Sequence, residues 1–170
     1  MSGNVIPEKK KMIEAAVRTG VFRDKEIDVL EELIDEMLSG KETTYRVLSS
    51  DSGGELTAFV IFGRTPLTDL SWDIYWLVVP PEHQGKGLGR KILSDAERIM
   101  TEENSEAVIR VETSTREEYA PARRFYAARG FREVGVIEDF YSRGDGLAIY
   151  AKNVDQGKGG KCKIKNEEKT

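Results

Sequence analysis

Gln84, Gly85, Lys86, Gly87, Leu88, Gly89 and Arg90 form a run with the composition of an anion-binding loop. Three glycines alternate with longer side chains, two of them cationic. The run follows residues 72–79, an aromatic and β-branched stretch that reads as a strand closed by Pro80 and Pro81. It leads into residues 88–100, where Leu88, Ile92, Leu93, Ala96, Ile99 and Met100 recur at helical spacing. The first N–H groups of a helix lack intrahelical partners, and the helix dipole places partial positive charge there. Glycine lets phosphate oxygens approach the backbone and permits positive φ. Spacing narrows the choice of phosphate ligand. A Walker loop needs four residues between its glycines and then Gly-Lys-Ser/Thr, which this run does not have. A dinucleotide fingerprint needs Gly-x-Gly-x-x-Gly, and here the third glycine comes one residue early.

A third pattern fits at every position. Val79, Pro81, Gln84, Gly87 and Gly89 match Val-x-Pro-x-x-Gln/Arg-x-x-Gly-x-Gly/Ala, and on this segment the chain resembles the N-acetyltransferases of the GNAT superfamily. Ala122, Phe125, Tyr126, Gly130 and Phe131 are similar to a later motif of the same family, Ala-x-x-Phe/Leu-Tyr-x-x-x-Gly-Phe. The resemblance spans residues 45–152. One departure is Tyr119, which stands where the family often has Asn.

The resemblance implies an α/β fold: a central mixed sheet whose strands 72–79 and 107–113 splay apart, with helices on both faces. It implies acetyl-CoA as cosubstrate, with the pantetheine arm in the gap beside the backbone of Leu77, Val78 and Val79. The N–H groups of Gln84, Gly85, Lys86, Gly87, Leu88, Gly89 and Arg90 would hold the pyrophosphate. Tyr126 matches the motif tyrosine that reaches the thioester sulfur in many members, so it is the expected acid and a cofactor contact. The expected reaction is direct acetyl transfer to an amine.

Attack on a thioester requires a neutral amine, so a proton acceptor is expected nearby. Glu112, at the end of strand 107–113, ranks first and Asp73 second. By period-two alternation Asp73 and Tyr75 share a face with Leu77 and Val79. Asp139, Phe140 and Tyr141 are the segment that lines the acceptor pocket in relatives. Asp73, Tyr75, Phe140 and Tyr141 are therefore the expected acceptor contacts. Trp72, Tyr75, Trp76, Phe140 and Tyr141 would form an aromatic wall, which favours a small organic amine or amino acid. A protein lysine or N-terminus is the alternative acceptor, and a noncatalytic acyl-CoA sensor is the alternative function. Arg110, Arg116, Arg123, Arg124, Arg129 and Arg132 concentrate positive charge, either on the cofactor's 3′-phosphate or on a solvated face.

These residues need elements to position them. Residues 7–18 and a helix capped by Asp24 come first, with Ile27, Leu30, Leu33, Ile34, Met37 and Leu38 at helical spacing. Strands are expected at 45–49, 56–62, 72–79, 107–113, 131–139 and 147–152, with helices at 88–100 and 120–129. Residues 1–153 make one domain, with N-terminal helices in 1–40 and the sheet and cofactor site in 44–153. From Val154 onward the composition is that of a disordered polar tail. It holds Cys162, the only cysteine, so no covalent thiol step is expected. With one cysteine and one histidine, His83, no metal site is expected. The net charge of −4 gives no support for nucleic acid or an anionic membrane as partner. The N-terminus lacks the apolar core of a signal peptide, so a cytoplasmic protein is expected. A homodimer is admitted by the resemblance.

Overall fold

Two amphipathic helices open the chain in the computed structural model, which describes residues 6–156. α1 (Lys9–Arg18) buries Met12, Ala15 and Ala16, and α2 (Asp24–Leu38) buries Leu30, Leu33, Ile34 and Met37. The cap of α2 is Arg23 rather than Asp24. The Glu26 carboxylate turns back and accepts the Arg23 N–H at 2.9 Å, as the N3 acid of a capping box does.

A hairpin of β1 (Tyr45–Ser52) and β2 (Glu55–Arg64) follows, then β3 (Ser71–Val78) and α3 (Leu88–Thr101). The chain continues through β4 (Glu106–Ser114), α4 (Ala120–Ala128), β5 (Arg132–Ser142) and β6 (Asp145–Asp155). The strands form one six-stranded sheet in the order β1-β2-β3-β4-β6-β5. All neighbours are antiparallel except β3 and β4. β2 is apolar almost throughout because both of its faces are covered. Phe59 and Ile61 face α1 and α2, while Ala58, Val60 and Phe62 face α3. The expected order of helices and strands and the mixed sheet with helices on both faces are therefore found. No described helix is long and apolar enough to cross a membrane.

β6 runs past the expected boundary. Val154 pairs with Ala107 on β4, and the Gln156 N–H donates to the Ser105 carbonyl at 2.8 Å. A polar composition still forms a strand where a neighbouring strand supplies partners. Cys162 and the rest of the expected tail lie outside the described residues.

Two irregularities in β3 shape everything around it. First, β3 pairs with β4 only from Ser71 to Ile74. Beyond that point Trp76, Leu77 and Val78 pair with β2 alone, while Glu112, Thr113 and Ser114 pair with β6 alone. The two strands splay. Second, the β2 ladder steps from Ile61↔Trp76 to Phe62↔Ile74, so Tyr75 is an extra residue, a β-bulge. The bulge inverts the alternation. Trp72 and Ile74 face α3 before it, and Leu77 and Val79 face α3 after it.

Asp73 therefore does not share a face with Leu77 and Val79, contrary to strict period-two reading. It points to the other face and is 6% exposed. There it accepts hydrogen bonds from Arg110 Nε at 2.6 Å and Thr65 Oγ1 at 2.7 Å. Tyr75 packs edge-on against Tyr45, with ring centroids 5.1 Å apart. Burial, followed by the nearby Asp73 charge, pushes its hydroxyl up to about 12.

Asp73 thus acts as a structural anchor of the parallel pair. Asp73→Asn should cost about 1–2 kcal/mol, by loss of the charge facing Arg110, and lower the melting temperature by roughly 3–6 °C. A catalytic carboxylate would show the reverse in a melting and turnover assay, with turnover lost and melting unchanged.

Candidate active site

The gap between β3 and β4 opens into a cavity of about 560 Å³. It runs from the start of α3, past Leu77 and Val79, to the layer formed by α2, α4 and the end of β5.

One end is the glycine loop. A 3₁₀ turn, Pro81–His83, brings the chain round after β3. The side chain of Gln84 then donates to the Val79 carbonyl at 2.9 Å, and Lys86 Nζ donates to the Glu82 carbonyl at 2.8 Å. These two contacts fold long side chains back onto the turn and leave the loop backbone facing the cavity. Gly87 caps α3 at φ +78°, a left-handed conformation that costs other residues about 1–2 kcal/mol. At Gly89 a Cβ would lie 3.4 Å from the Phe125 ring, so the first turn of α3 sits close against α4. The N–H groups of Gly85, Lys86, Gly87, Leu88, Gly89 and Arg90 have no partner among the described residues. Arg90 and Arg129 line the same end.

The six arginines singled out by sequence separate in space. Arg110 is bound to Asp73, and Arg116 to Glu118 at 2.7 Å. Arg123 donates to the carbonyls of Ser114 and Arg116 at 2.6 and 2.8 Å. Of the six, only Arg129 lines the cavity.

At the middle of the cavity Tyr126 and Glu112 approach the gap from opposite faces of the sheet. Tyr126 lies on α4, 6% exposed, between Phe125 and Phe131, each with ring centroids 5.4 Å away. Burial alone raises its pKa well above the usual phenol range, and its hydroxyl has no hydrogen-bond partner among the described residues. Glu112 lies on the face shared with Arg110, whose Nη1 is 3.5 Å from Glu112 Oε1.

The far end holds Tyr119, which the sequence marked only as a departure from the family pattern, and groups that no pattern marked. Tyr119 donates its hydroxyl proton to Glu26 Oε2 at 2.6 Å. Arg23 donates to the same oxygen from Nε at 3.1 Å and reaches Asp145 Oδ2 from Nη1 at 2.9 Å. Asp145 is buried and also accepts from Ser114 Oγ. This chain ties α2, the start of α4, β4 and β6 together. Burial and the bond to Glu26 push the Tyr119 hydroxyl up.

Tyr141 is brought to this end by a break in the β5–β6 ladder, which skips from Ile137↔Leu147 to Ser142↔Asp145. Within the break Asp139 takes φ +54° and accepts the Gly144 N–H at 2.6 Å. Arg23 lies 5.6 Å over the Tyr141 ring. Burial, then the charges of Glu112, Glu26 and Asp145, raise the Tyr141 hydroxyl.

Of the residues expected from sequence, Leu77, Val79, Gln84, Gly85, Gly87, Leu88, Gly89, Arg90, Glu112, Tyr126 and Tyr141 line this one cavity. Asp73, Tyr75, Val78, Lys86 and Phe140 do not. Trp72 is core, and Trp76 packs on Phe22 at 4.8 Å. Phe22 and Glu26 line the cavity without having been anticipated, as does Tyr119, noted from sequence only as a departure. Their positions 22, 26 and 119 are remote in the chain, and Glu26 is one acid among many on α2.

His83 stands beside the loop and also lines the cavity. It forms a cluster with Glu55 and Glu82, whose ligand atoms lie within 4.8 Å of one another. Arg18 binds both carboxylates, at 3.2 and 2.6 Å, so a cation already sits between them.

Residues 41–133 match the family model for the acetyltransferase (GNAT) domain. Among solved structures, a GNAT-family protein from Desulfovibrio desulfuricans is 31% identical, with TM-score 0.81 over 89% of this chain and 95% of that one. The aminoglycoside 6′-N-acetyltransferase from Enterococcus faecium is 15% identical, with TM-score 0.68 over 90% and 94%. The PaiA N-acetyltransferase from Thermoplasma acidophilum, in complex with coenzyme A, is 19% identical, with TM-score 0.61 over 83% and 91%. At these last two identities the likeness is one of fold. No curated protein matches the sequence. The matched domain, the splayed strands and the loop between them coincide in one cavity, and the chain belongs to the GNAT family of acetyltransferases.

Proposed function

We propose that the protein moves the acetyl group of acetyl-CoA directly to an amine of a small, positively charged molecule. The observation that carries this reading is the polarity of the cavity. Unpartnered N–H groups, Arg90 and Arg129 line the loop end, Glu26 and Glu118 line the other, and Glu112 stands between them. An anionic pyrophosphate suits the first end, and a cation suits the second.

Acetyl-CoA supplies an activated carbonyl and a thiolate leaving group. The chain's own residues divide the rest. Residues 85–90 offer backbone donors to the pyrophosphate. The unpaired backbone edge of Leu77, Val78 and Val79 offers hydrogen bonds to an extended amide-bearing arm. An alkyl ammonium has a pKa of about 10 and cannot attack while charged. Glu112 takes its proton, directly or through one water. The amine nitrogen then bonds to the acyl carbon, sheds its second proton to solvent, and the C–S bond breaks to release the thiolate. Tyr126 stands on the opposite side of the gap with a free hydroxyl. Its raised pKa keeps it protonated, and a thiolate whose conjugate thiol has a pKa of about 8.5 is too weak a base to strip it. Tyr126 therefore acts by donating a hydrogen bond to the developing thiolate, with full protonation of that sulfur following from solvent.

Acetyl-CoA at about 100 times its dissociation constant should stabilise the fold by about 2.7 kcal/mol and raise the melting temperature by roughly 5–10 °C. NAD should leave it unmoved. Gly87→Glu should erase the acetyl-CoA shift, because like charge fills the anion site. Absence of a shift in the parent protein would refute the cosubstrate assignment.

Tyr126→Phe and Glu112→Gln should each lower kcat by about 100-fold, with KM for acetyl-CoA within about threefold. The pH profile of Tyr126→Phe should keep the parent's shape, since this hydroxyl stays protonated across the ordinary range. Full turnover in Tyr126→Phe would return the ring to a packing role.

We further propose that two copies associate across β5. β5 is an edge strand whose residues are exposed apart from half-buried Gly135. Val134, Val136, Ile137 and Phe140 are apolar and open to solvent. Antiparallel self-pairing centred on Gly135 sets Arg132 of each copy against Glu138 of the other. An open apolar edge of this kind calls for a partner strand. Sedimentation should give a dimer for the parent and a monomer for Val136→Lys; a monomeric parent removes the idea.

A further inference from the structure

Glu26 is built unlike the other acids of the cavity. Its Oε2 accepts three donors: the Arg23 N–H at 2.9 Å, Arg23 Nε at 3.1 Å and the Tyr119 hydroxyl at 2.6 Å. Its Oε1 accepts none among the described residues. The side chain is 28% exposed and lines the cavity. One oxygen is pinned, and the other is presented to whatever enters.

The surrounding charges leave that oxygen unneutralised. Arg23 is shared between Glu26 and the buried Asp145. Arg110 is shared in the same way between Asp73 and Glu112. Three carboxylates, Glu112, Glu26 and Asp145, and one guanidinium, Arg23, thus act on Tyr141, whose ring already has Arg23 stacked on one side at 5.6 Å. The excess is negative and is distributed over two stations, Glu112 on the splayed strand and Glu26 on the helix layer.

The two stations cannot serve one ammonium in the same way. A reacting amine must give up its proton and become neutral before it attacks. A carboxylate beside the gap meets that need. A carboxylate oriented by three donors on its far oxygen offers a fixed hydrogen-bonding site for a group that stays charged. We propose that the acceptor carries two cationic groups and that Glu26, oriented by Arg23 and Tyr119, binds the one that does not react. This rests on the reading that the acceptor enters at the Glu112 and Tyr141 end. The substrate class is a diamine, or an amine with a second cationic nitrogen. Tyr119 acts as a positioning residue through Glu26.

The test compares α,ω-diamines of three to six carbons with monoamines of equal length. In the parent protein kcat/KM should favour the best diamine by at least about tenfold, the effect expected of one charged hydrogen bond. Glu26→Gln should reduce that preference to below about threefold. It should act through KM for the diamine, with kcat and KM for acetyl-CoA little changed. Tyr119→Phe, which removes only the orienting donor, should fall between the two. Calorimetric titration of the same diamine onto the coenzyme A complex should give heat with the parent and at least about tenfold weaker binding with Glu26→Gln. A parent without diamine preference, or a Glu26→Gln variant that keeps the parent's preference and affinity, overturns the inference. Diamine binding that depends on Glu26, without acetylation of any amine, upholds the cation site and defeats the catalytic reading instead.

Discussion

β3 and β4 exchange hydrogen bonds from Ser71 to Ile74 and then part. Where a parallel pair parts, its backbone groups lose their strand partners, so water or a ligand must complete them. Each strand can leave the other because each is held on its outer side, β3 by β2 through Val78 and β4 by β6 through Ser114. The bulge at Tyr75 lies at the point of divergence, where an extra residue bends the strand. The Asp73–Arg110 pair, just before it, holds the two strands together up to the last shared rung. The splay is thus a defined fork. Its stem is locked by an ion pair and its arms are locked by neighbouring strands.

The fork puts chemistry from both faces of a sheet into one space. In an unbroken sheet Tyr126 on the α4 side and Glu112 on the α2 side would be separated by backbone. Where the strands part, both line a single cavity. The far end of that cavity is closed by contacts distant in sequence. Arg23 joins the entry of α2 to Asp145 at the start of β6, and Tyr119 joins α4 back to Glu26. The N-terminal helical segment is therefore part of the cavity wall as well as a cover for the apolar face of β2.

What was legible in the sequence follows from this division. The loop of residues 84–90 is local. Its glycines, the preceding strand and the following helix are contiguous, so spacing alone reveals an anion site. Tyr126 was legible because it stands in a short motif with Ala122 and Gly130. Asp73 was misplaced because alternation holds only in a regular strand, and no residue type in 72–79 announces the bulge. The arginines were misjudged because charge density along the chain says nothing about which carbonyl or carboxylate each one reaches, as Arg123 and Arg110 show. Glu26 was hidden for the same reason. Its meaning depends on Tyr119, 93 positions away, and on which of its two oxygens is left over. The end of β6 was cut short because a polar stretch can still pair where Ala107 and Ser105 wait for it.

A net charge of −4 says little about this protein's ligands, because the charges that matter are sorted by position. The loop end of the cavity offers N–H groups, a helix N-terminus and two arginines, while the Tyr141 end offers carboxylates in excess. Partly buried charges are screened less than surface ones, so each end favours one sign of ligand and repels the other. An anionic cosubstrate and a cationic acceptor would each be turned away from the wrong end. On the proposed function their reacting groups would meet where the two fields change sign, at the fork between Glu112 and Tyr126. Placement of the two reactants is in this way a property of the cavity's charge pattern, and the fork in the sheet is what gives that pattern a middle.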